Sequence, residues 1–592
     1  MIHKNSEEDF EPADENVRRI LEENEYFQLS SSQSAQAARE ARWESLAPGE
    51  TLFYEGDPAD CFYLLASGRM DAILRCPDGS EELLGSIRAG ETIGEMGLIS
   101  GNPRSLTVRA RRSCALLRFD RRFIQNLPNQ TLFRFINLIV QRSQDTINRL
   151  RVGDPPPEQI AVVAMTPGVE VDKVTEDLVR QWPKNRPCQG LSSIVFEANK
   201  ETAGTALRGR GMTTLIWVDC NDRAARHICE EADRTIFLAR NDHADAQSPA
   251  SVALLRALNS KTLPSDLLLF HSSSIQGTSR FLESGHFSRL IHARDNCPSD
   301  LDRMVRLLSG SALGVALGGG GVRGWAHIGA FKAIREAGHE IDAVCGTSAG
   351  AVLGSLWEMS TSIDDLIGRF ERLLKIAGRQ LDARNFTFPV VSLLNGRNWT
   401  RSLQESLGDQ LIEDFPVPFR CVSCDIVAED AAIHTYGPAW KWVRASTSLP
   451  GLFPPMVEED SLFVDGAVID NLPVEVTRRF LGRESRILAV DLTDPLEQSS
   501  YYCPPSLNRF EALSLERKAR QSGKTVPRLG ETLLRSLMMG SKVKSRADAK
   551  LADIYVRPKL GKCSLLGTDR GLDLVEAGYE ATKLALQEYD KW

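Results

Sequence analysis

Hydrophobic and polar positions change rhythm twice along this chain, and the changes mark out three stretches. From about residue 17 to 153 the apolar residues come in short runs with turn residues between them. Thr51-Leu52-Phe53 is followed by Cys61–Leu65 ending at Ser67-Gly68, then by Met70–Leu74 ending at Pro77-Asp78-Gly79. Short strands at that spacing predict a β-roll, and the amphipathic pattern over 129–151 predicts a long helix closing it. From 158 to 310, continuous apolar runs alternate with helix-period segments. The runs are Ile160–Met165, Ser193–Phe196, Thr214–Val218, Thr235–Leu238, Leu267–Phe270 and Leu290–Ala293, and such alternation predicts a parallel α/β sheet. From 311 to 592 the strand-like runs Leu313–Leu317 and Ile341–Cys345 flank a helical pattern, Trp325–Gly338. The expected fold class is therefore multidomain α/β: a β-roll, a middle parallel α/β domain and a C-terminal α/β domain. An acidic, polar tail (1–16) reads as loose, and the proline-rich 154–157 reads as a stiff linker.

Composition narrows the classes. A length of 592 residues suits several domains. A net charge of −8 argues against a nucleic-acid partner. No run reaches the ~18 apolar residues of a membrane span, and the N-terminus lacks a signal-peptide pattern. The expectation is a cytoplasmic protein, at most peripheral to the inner face of a membrane. The 12 cysteines are thinly spread, which suits free thiols in a reducing compartment. Cys421 and Cys424 have C-x-x-C spacing, but no second pair accompanies them, so a buried strand over Phe419–Val427 is expected and no metal.

The chemistry concentrates in the third stretch. Gly318-Gly319-Gly320-Gly321-Val322-Arg323-Gly324 follows the first strand-like run, and Gly346-Thr347-Ser348-Ala349-Gly350 follows the second. The second motif is a nucleophile elbow, which holds a serine on a sharp strand-to-helix turn. Gly346 and Gly350 flank Ser348 because side chains there would clash across the turn. The first motif can turn bare backbone amides toward the same point, as an oxyanion requires. Arg323 adds a positive charge near that site or packs structurally. Middle-stretch residues Thr166–Val171 follow the first strand there but contain no phosphate-binding glycine pattern, so a structural or coupling role is expected for 158–310.

A serine nucleophile needs a base. Asp425, Asp465, Asp470 and Asp491 follow the elbow, and Asp465 stands out at the end of the run Leu462-Phe463-Val464, before the small Gly466-Ala467. The last of the nine histidines is His434, so none follows Asp465. Either His434 or His327 acts out of the usual chain order, or a Ser-Asp dyad operates with the carboxylate as direct base. The dyad is favoured by the absence of alternatives, and His327 is expected to be structural.

Glycine loop ending in Arg-Gly, elbow and Asp-Gly-Ala motif together resemble the patatin-like phospholipases. That resemblance implies Ser348 as nucleophile, Asp465 as base and the amides of Gly319, Gly320 and Gly321 as oxyanion donors, supported by Arg323, Gly324, Gly346, Gly350 and Gly466. The first stretch holds a second motif. Gly94-Glu95 opens a short helical turn that reaches Leu98, and Pro103-Arg104-Ser105 precedes a strand. Helix amides and Arg104 can meet a small cyclic phosphate while Glu95 accepts from a ribose hydroxyl. This segment resembles the cyclic-nucleotide-binding domain, whose earlier turn Gly56-Asp57 also suits. The whole order resembles the neuropathy target esterase family. It implies a lysophospholipase or phospholipase A acting on phospholipid or lysophospholipid with no cofactor needed for catalysis, while the likeness to the cyclic-nucleotide-binding domain implies cAMP or cGMP as an allosteric ligand at Gly94, Glu95, Arg104 and Ser105. The alternatives are a roll that binds nothing, and a catalytically silent cyclic-nucleotide-responsive scaffold.

One further stretch carries a signal of its own. Asn508–Arg546 holds ten Lys/Arg and three Asp/Glu, with Leu533, Leu534, Leu537, Met538 and Met539 beside Arg528, Arg535, Lys542 and Lys544. A basic amphipathic helix of this kind can lie on an anionic membrane surface, or its apolar face can pack on the catalytic core. Oligomeric state is not legible in the sequence.

Overall fold

The computed structural model describes residues 14–22, 24, 31–75, 81–125, 156–194, 212–261, 263–295, 297–378, 382–493, 500–527, 529–561 and 571–589. The expected helix over 129–151, the turn Pro77-Asp78-Gly79, Asp154-Pro155, Val195-Phe196, Leu534's side chain, Arg528 and most of the 1–16 tail lie outside them.

The first stretch is a roll of two antiparallel four-stranded sheets. Its strands are β1 (Arg42–Leu46), β2 (Thr51–Phe53), β3 (Cys61–Ser67), β4 (Arg69–Arg75), β5 (Glu81–Arg88), β6 (Thr92–Ile93), β7 (Thr107–Ala110) and β8 (Cys114–Asp120). One sheet has the order β1-β8-β3-β6, the other β2-β7-β4-β5. Phe62, Leu64, Leu117 and Phe119 fill one side of the first sheet, and Leu65, Met70, Ile93 and Leu116 fill the space between the sheets. That division follows from alternate residues of a strand facing opposite sides.

The middle stretch is a wholly parallel six-stranded sheet, as its continuous apolar runs predict. Its strands are β9 (Gln159–Ala164), β10 (Cys188–Ser192), β11 (Thr213–Val218), β12 (Arg234–Arg240), β13 (Ser265–His271) and β14 (Arg289–Arg294). One expectation is displaced: the second strand is Cys188–Ser192, and Ser193 and Ile194 are already helical. Gln189 and Gly190 make that strand's apolar signature weak, which is why the richer run beyond it reads as the strand. Asp233, just before β12, ties this sheet to the roll. It accepts from Arg69 and Arg112 of the roll and from the amides of Glu158 and Gln159.

The third stretch builds an eight-stranded mixed sheet. Its strands are β15 (Leu313–Leu317), β16 (Ala343–Thr347), β17 (Phe419–Asp425), β18 (Asp430–His434), β19 (Met456–Glu458), β20 (Ser461–Asp465), β21 (Arg486–Val490) and β22 (Ile554–Val556). The order is β19-β20-β17-β16-β15-β21-β22, with β18 also on β17. β16 and β21 both run parallel to β15, while β20 runs antiparallel to β17. Helices Trp325–Glu336 and Gly571–Tyr589 pack on this sheet through Ile328, Phe331, Leu574 and Leu586, which are buried in its largest core. The buried cysteines Cys421 and Cys424 sit on opposite faces of β17, so their C-x-x-C spacing reflects strand packing.

Candidate active site

The two parallel strands β15 and β16 end side by side, and each feeds its motif toward the same point. After β16 the chain turns at Ser348 and enters helix Ala349–Glu358. Ser348 has φ 53° and ψ −115°, a positive φ that few non-glycine residues adopt. Such strain persists only where the surroundings hold it. Here the Ser348 amide donates to Ser446 Oγ at 2.8 Å, and Ser446 in turn donates to the Val422 carbonyl at 2.6 Å. A methyl on Gly346 would overlap the Gly350 backbone, and one on Gly350 would overlap the Leu317 carbonyl, so the elbow leaves no room for any side chain at these two positions.

The structure brings Asp465 to Ser348. It ends β20, opposite Ser423 of β17, and its amide donates to the Ser448 carbonyl at 2.9 Å. Ser348 Oγ donates to Asp465 Oδ2 at 2.8 Å, and the Ala467 amide donates to Oδ1 at 2.9 Å. The carboxyl is fully buried. Burial pushes it up to about 7, against the pull of those two hydrogen bonds. A carboxyl poised near neutrality is suited to proton transfer at working pH.

The glycine loop lies against the serine: a methyl on Gly319 would sit 3.1 Å from Ser348 Cβ. The loop's amides are not equivalent. Gly318 donates to the Val490 carbonyl and Gly319 to the Asn471 carbonyl, each at 3.0 Å. The expectation for Gly319 therefore needs correction, because its amide is already engaged. Gly320 precedes and Gly321 opens a 3-10 turn running to Gly324, and the first amides of such a turn have no partner within it. Arg323 reaches the Leu492 carbonyl at 3.4 Å, on the side of β21.

Neither histidine touches the Ser348–Asp465 pair. His327 is buried, contacts the Gly318 carbonyl at 2.8 Å, and burial holds its ring down to about 4. It anchors the glycine loop. His434 contacts Ser423 Oγ at 2.7 Å and stacks on Trp442 with ring centroids 4.0 Å apart. Asp425 caps the turn after β17, Asp470 pairs with Lys544, and Asp491 accepts from Tyr555 and Thr493. Ser446 and Asn471 are the positioning residues that sequence reasoning misses. They reach the site from 98 and 123 positions beyond Ser348, with no local pattern to mark them.

In the roll, Gly94 (φ 82°) leads into helix Glu95–Ser100. Arg104 is buried and lies against Gly94, donating to the carbonyls of Gly94 at 2.7 Å and Cys61 at 2.8 Å, with its guanidinium over the Phe53 ring. Glu95 is buried with Oε2 lacking a hydrogen bond, whereas Ser105 is exposed. Gly94, Glu95 and Arg104 thus lie together, and the arginine is held by backbone oxygens.

Comparison with known proteins places these sites in families. Residues 315–478 match the patatin-like phospholipase family, and residues 43–131 match the cyclic nucleotide-binding domain. The neuropathy target esterase sws of Drosophila melanogaster is 26% identical over 91% of this chain and 42% of its own length. Patatin-like phospholipase domain-containing protein 6 of Homo sapiens is 27% identical over 78% of this chain and 38% of its own. The chain thus spans about two fifths of the length of these relatives. A cyclic nucleotide-binding domain from Methylobacillus flagellatus KT is 24% identical, covering 23% of this chain and 81% of that one, with a TM-score of 0.21. The chain therefore carries a cyclic nucleotide-binding domain followed by a patatin-like phospholipase domain, and is similar over most of its length to the neuropathy target esterases.

Proposed function

We propose that this protein is a serine lipid-ester hydrolase of lysophospholipase or phospholipase A type, working through the Ser348–Asp465 dyad. The observation that carries the reading is the 2.8 Å hydrogen bond from Ser348 Oγ to a buried Asp465 carboxylate. Asp465 takes the hydroxyl proton as Ser348 attacks the ester carbonyl. The amides of Gly320 and Gly321 stabilise the oxyanion, an effect of roughly 3–4 kcal/mol per donor in comparable sites. Asp465 then gives the proton to the leaving alcohol, and in the second half-reaction it activates the water that releases the fatty acid.

Substrate presented in a bilayer requires a surface that meets lipid. Among the described residues no helix is long and apolar enough to cross a membrane. Two exposed apolar features support peripheral contact. Loop residues Phe388, Val390 and Val391 stand out into solvent, and the loop is pinned by Leu393 and Leu394, whose amides donate to the carbonyls of Gly451 and Leu452, a few residues beyond the Ser448 whose carbonyl accepts from Asp465. Leu529, Leu533, Leu537, Met539 and Val543 are likewise exposed on helices Leu529–Leu537 and Met539–Asp548. On the second of these helices Lys544 turns inward to Asp470 and Asp548, and Ser541 donates to the Ala467 carbonyl. The helix is thus docked by its polar side and presents its apolar side, a reading that favours a cytoplasmic protein peripheral to a membrane face.

Regulation by cAMP or cGMP is part of the same proposal. A cyclic phosphate at the roll would replace the carbonyl partners of Arg104, and Glu95 would accept from the ribose. Fatty-acid release from lysophosphatidylcholine by the purified protein and by Ser348→Ala, each with and without cAMP and cGMP, tests the reading. Activity lost in the variant supports it. Undiminished release by Ser348→Ala refutes it, and no release from any lysolipid favours the silent scaffold.

A further inference from the structure

A second cavity lies away from the dyad, where the middle sheet meets the lipase sheet. It holds ≈ 240 Å³, room for about eight waters at ~30 Å³ each. Four guanidinium groups line it: Arg234 and Arg289, which begin β12 and β14, Arg420 of β17, and Arg479 of helix Val474–Leu481. No carboxylate lines it among the described residues. Two of the four have acidic partners outside the lining, Arg234 with Asp266 and Arg479 with Glu475. Arg289 donates to the Leu307 carbonyl at 2.9 Å.

Arg420 differs from the other three. Among the described residues its side chain makes no hydrogen bond or ion pair, and its guanidinium lies 3.3 Å from the Phe480 ring centroid. Burial holds that guanidinium down to about 10. The half-buried guanidinium faces the cavity with an aromatic ring and no carboxylate beside it among the described residues, a contact that offsets only part of the cost of drawing a cation away from bulk water. An anion in the cavity would restore the balance, and guanidinium groups match the oxygens of a phosphate in a bidentate manner. The apolar wall of Ile433 and Phe480, together with a volume beyond that of a bare phosphate, leaves space for a short organic stem.

We infer that this cavity is a binding site for a phosphate monoester, held by Arg420 and Arg289 with Arg479 at its rim and the ester stem against Phe480 and Ile433. The site is separate from both the dyad and the roll's phosphate motif. Its occupant would bridge the middle sheet and β17, the strand whose Val422 carbonyl supports Ser446.

Isothermal titration of the full-length protein with glycerol 3-phosphate, and separately with inorganic phosphate, tests the inference. One site per chain is expected, with the ester binding more tightly than the bare ion. Arg420→Met should raise the dissociation constant at least about tenfold, as loss of a charged hydrogen-bond partner does. Arg479→Gln should raise it by a smaller factor; that side chain is largely exposed, so the variant keeps the test valid if Arg420→Met does not fold. Vesicles containing lysophosphatidate form a second arm: capture by vesicles through Arg420, without binding of the soluble ester, would identify a lipid headgroup as the source of the phosphate. Absence of binding in both arms, or dissociation constants unchanged in both variants, overturns the inference.

Discussion

Asp465→Asn should make the protein more stable at alkaline pH while abolishing its hydrolytic activity. The wild-type carboxyl is fully buried and raised from the 3.8 of a free aspartate to about 7. Below pH 4 both folded and unfolded chains keep it protonated, and it costs nothing. As pH rises toward 7 the unfolded chain releases this proton while the folded chain retains it, so stability falls; above 7 the full cost persists. At ~1.4 kcal/mol for each pH unit the cost is roughly 4 kcal/mol. Asparagine can still accept from the Ala467 amide and face the Ser348 hydroxyl, so the variant keeps the geometry without the charge. It gives up charge-assisted hydrogen bonds, and a net gain of about 2–4 kcal/mol is expected. For a lipase domain of this size that means a Tm higher by roughly 3–7 °C at pH 8.5, shrinking toward zero at pH 4.5. Differential scanning calorimetry of both proteins at the two pH values reads this directly. A variant no more stable than wild type at pH 8.5, or a gain equal at both pH values, refutes the reasoning.

Other expectations follow from the same geometry. kcat/KM for a soluble ester should rise with pH through about 7 as Asp465 ionises, with a tenfold change per pH unit below that point; a profile flat from pH 5 to 8 contradicts its role as base. Ser446→Ala removes the acceptor of the Ser348 amide and should lower kcat roughly 10–100-fold with little change in KM, measured on a short acyl ester. Asp233→Ala removes the buried carboxylate that Arg69 and Arg112 share and should cost about 3–5 kcal/mol at pH 7. These two arginines, against the opposing effect of burial, hold the Asp233 carboxyl well below the usual range, so the deficit should persist at pH 5 and fade only in strong acid, read by chemical denaturation. Phe388→Ser with Val390→Ser should weaken binding to anionic vesicles while leaving turnover of a soluble ester unchanged; unchanged vesicle binding removes that loop from the membrane reading.

Legibility in the sequence tracked how local each determinant is. β15 matches its apolar run residue for residue, and β16 is displaced by only two positions, because fully buried parallel strands are apolar throughout. Ser348, Asp465 and the glycine loop are legible as candidates because each sits at the junction of a strand and a tight turn, where residue choice is narrow. The commitment of Gly319's amide to Asn471, the support of Ser448 and Ser446, and the inward turn of Lys544 were not legible. Each depends on a contact between residues at least 17 positions apart, and the serines and lysine involved look like ordinary surface residues. The arginine cavity was hidden for the same reason: its four cations come from four elements in two different sheets and the helix beside them. Gln189 and Gly190 hid the second middle-sheet strand by breaking the apolar run that would announce it.

Covalent labelling with an alkyl fluorophosphonate tests the central claim most directly. Wild-type protein should gain one phosphonyl group per chain, located by peptide mass spectrometry on Ser348. Ser348→Ala should not be labelled, and Asp465→Asn should be labelled far more slowly despite its greater stability. Failure of the folded wild-type protein to react, or labelling at another residue that survives in Ser348→Ala together with lipid hydrolysis, would contradict the Ser348–Asp465 dyad.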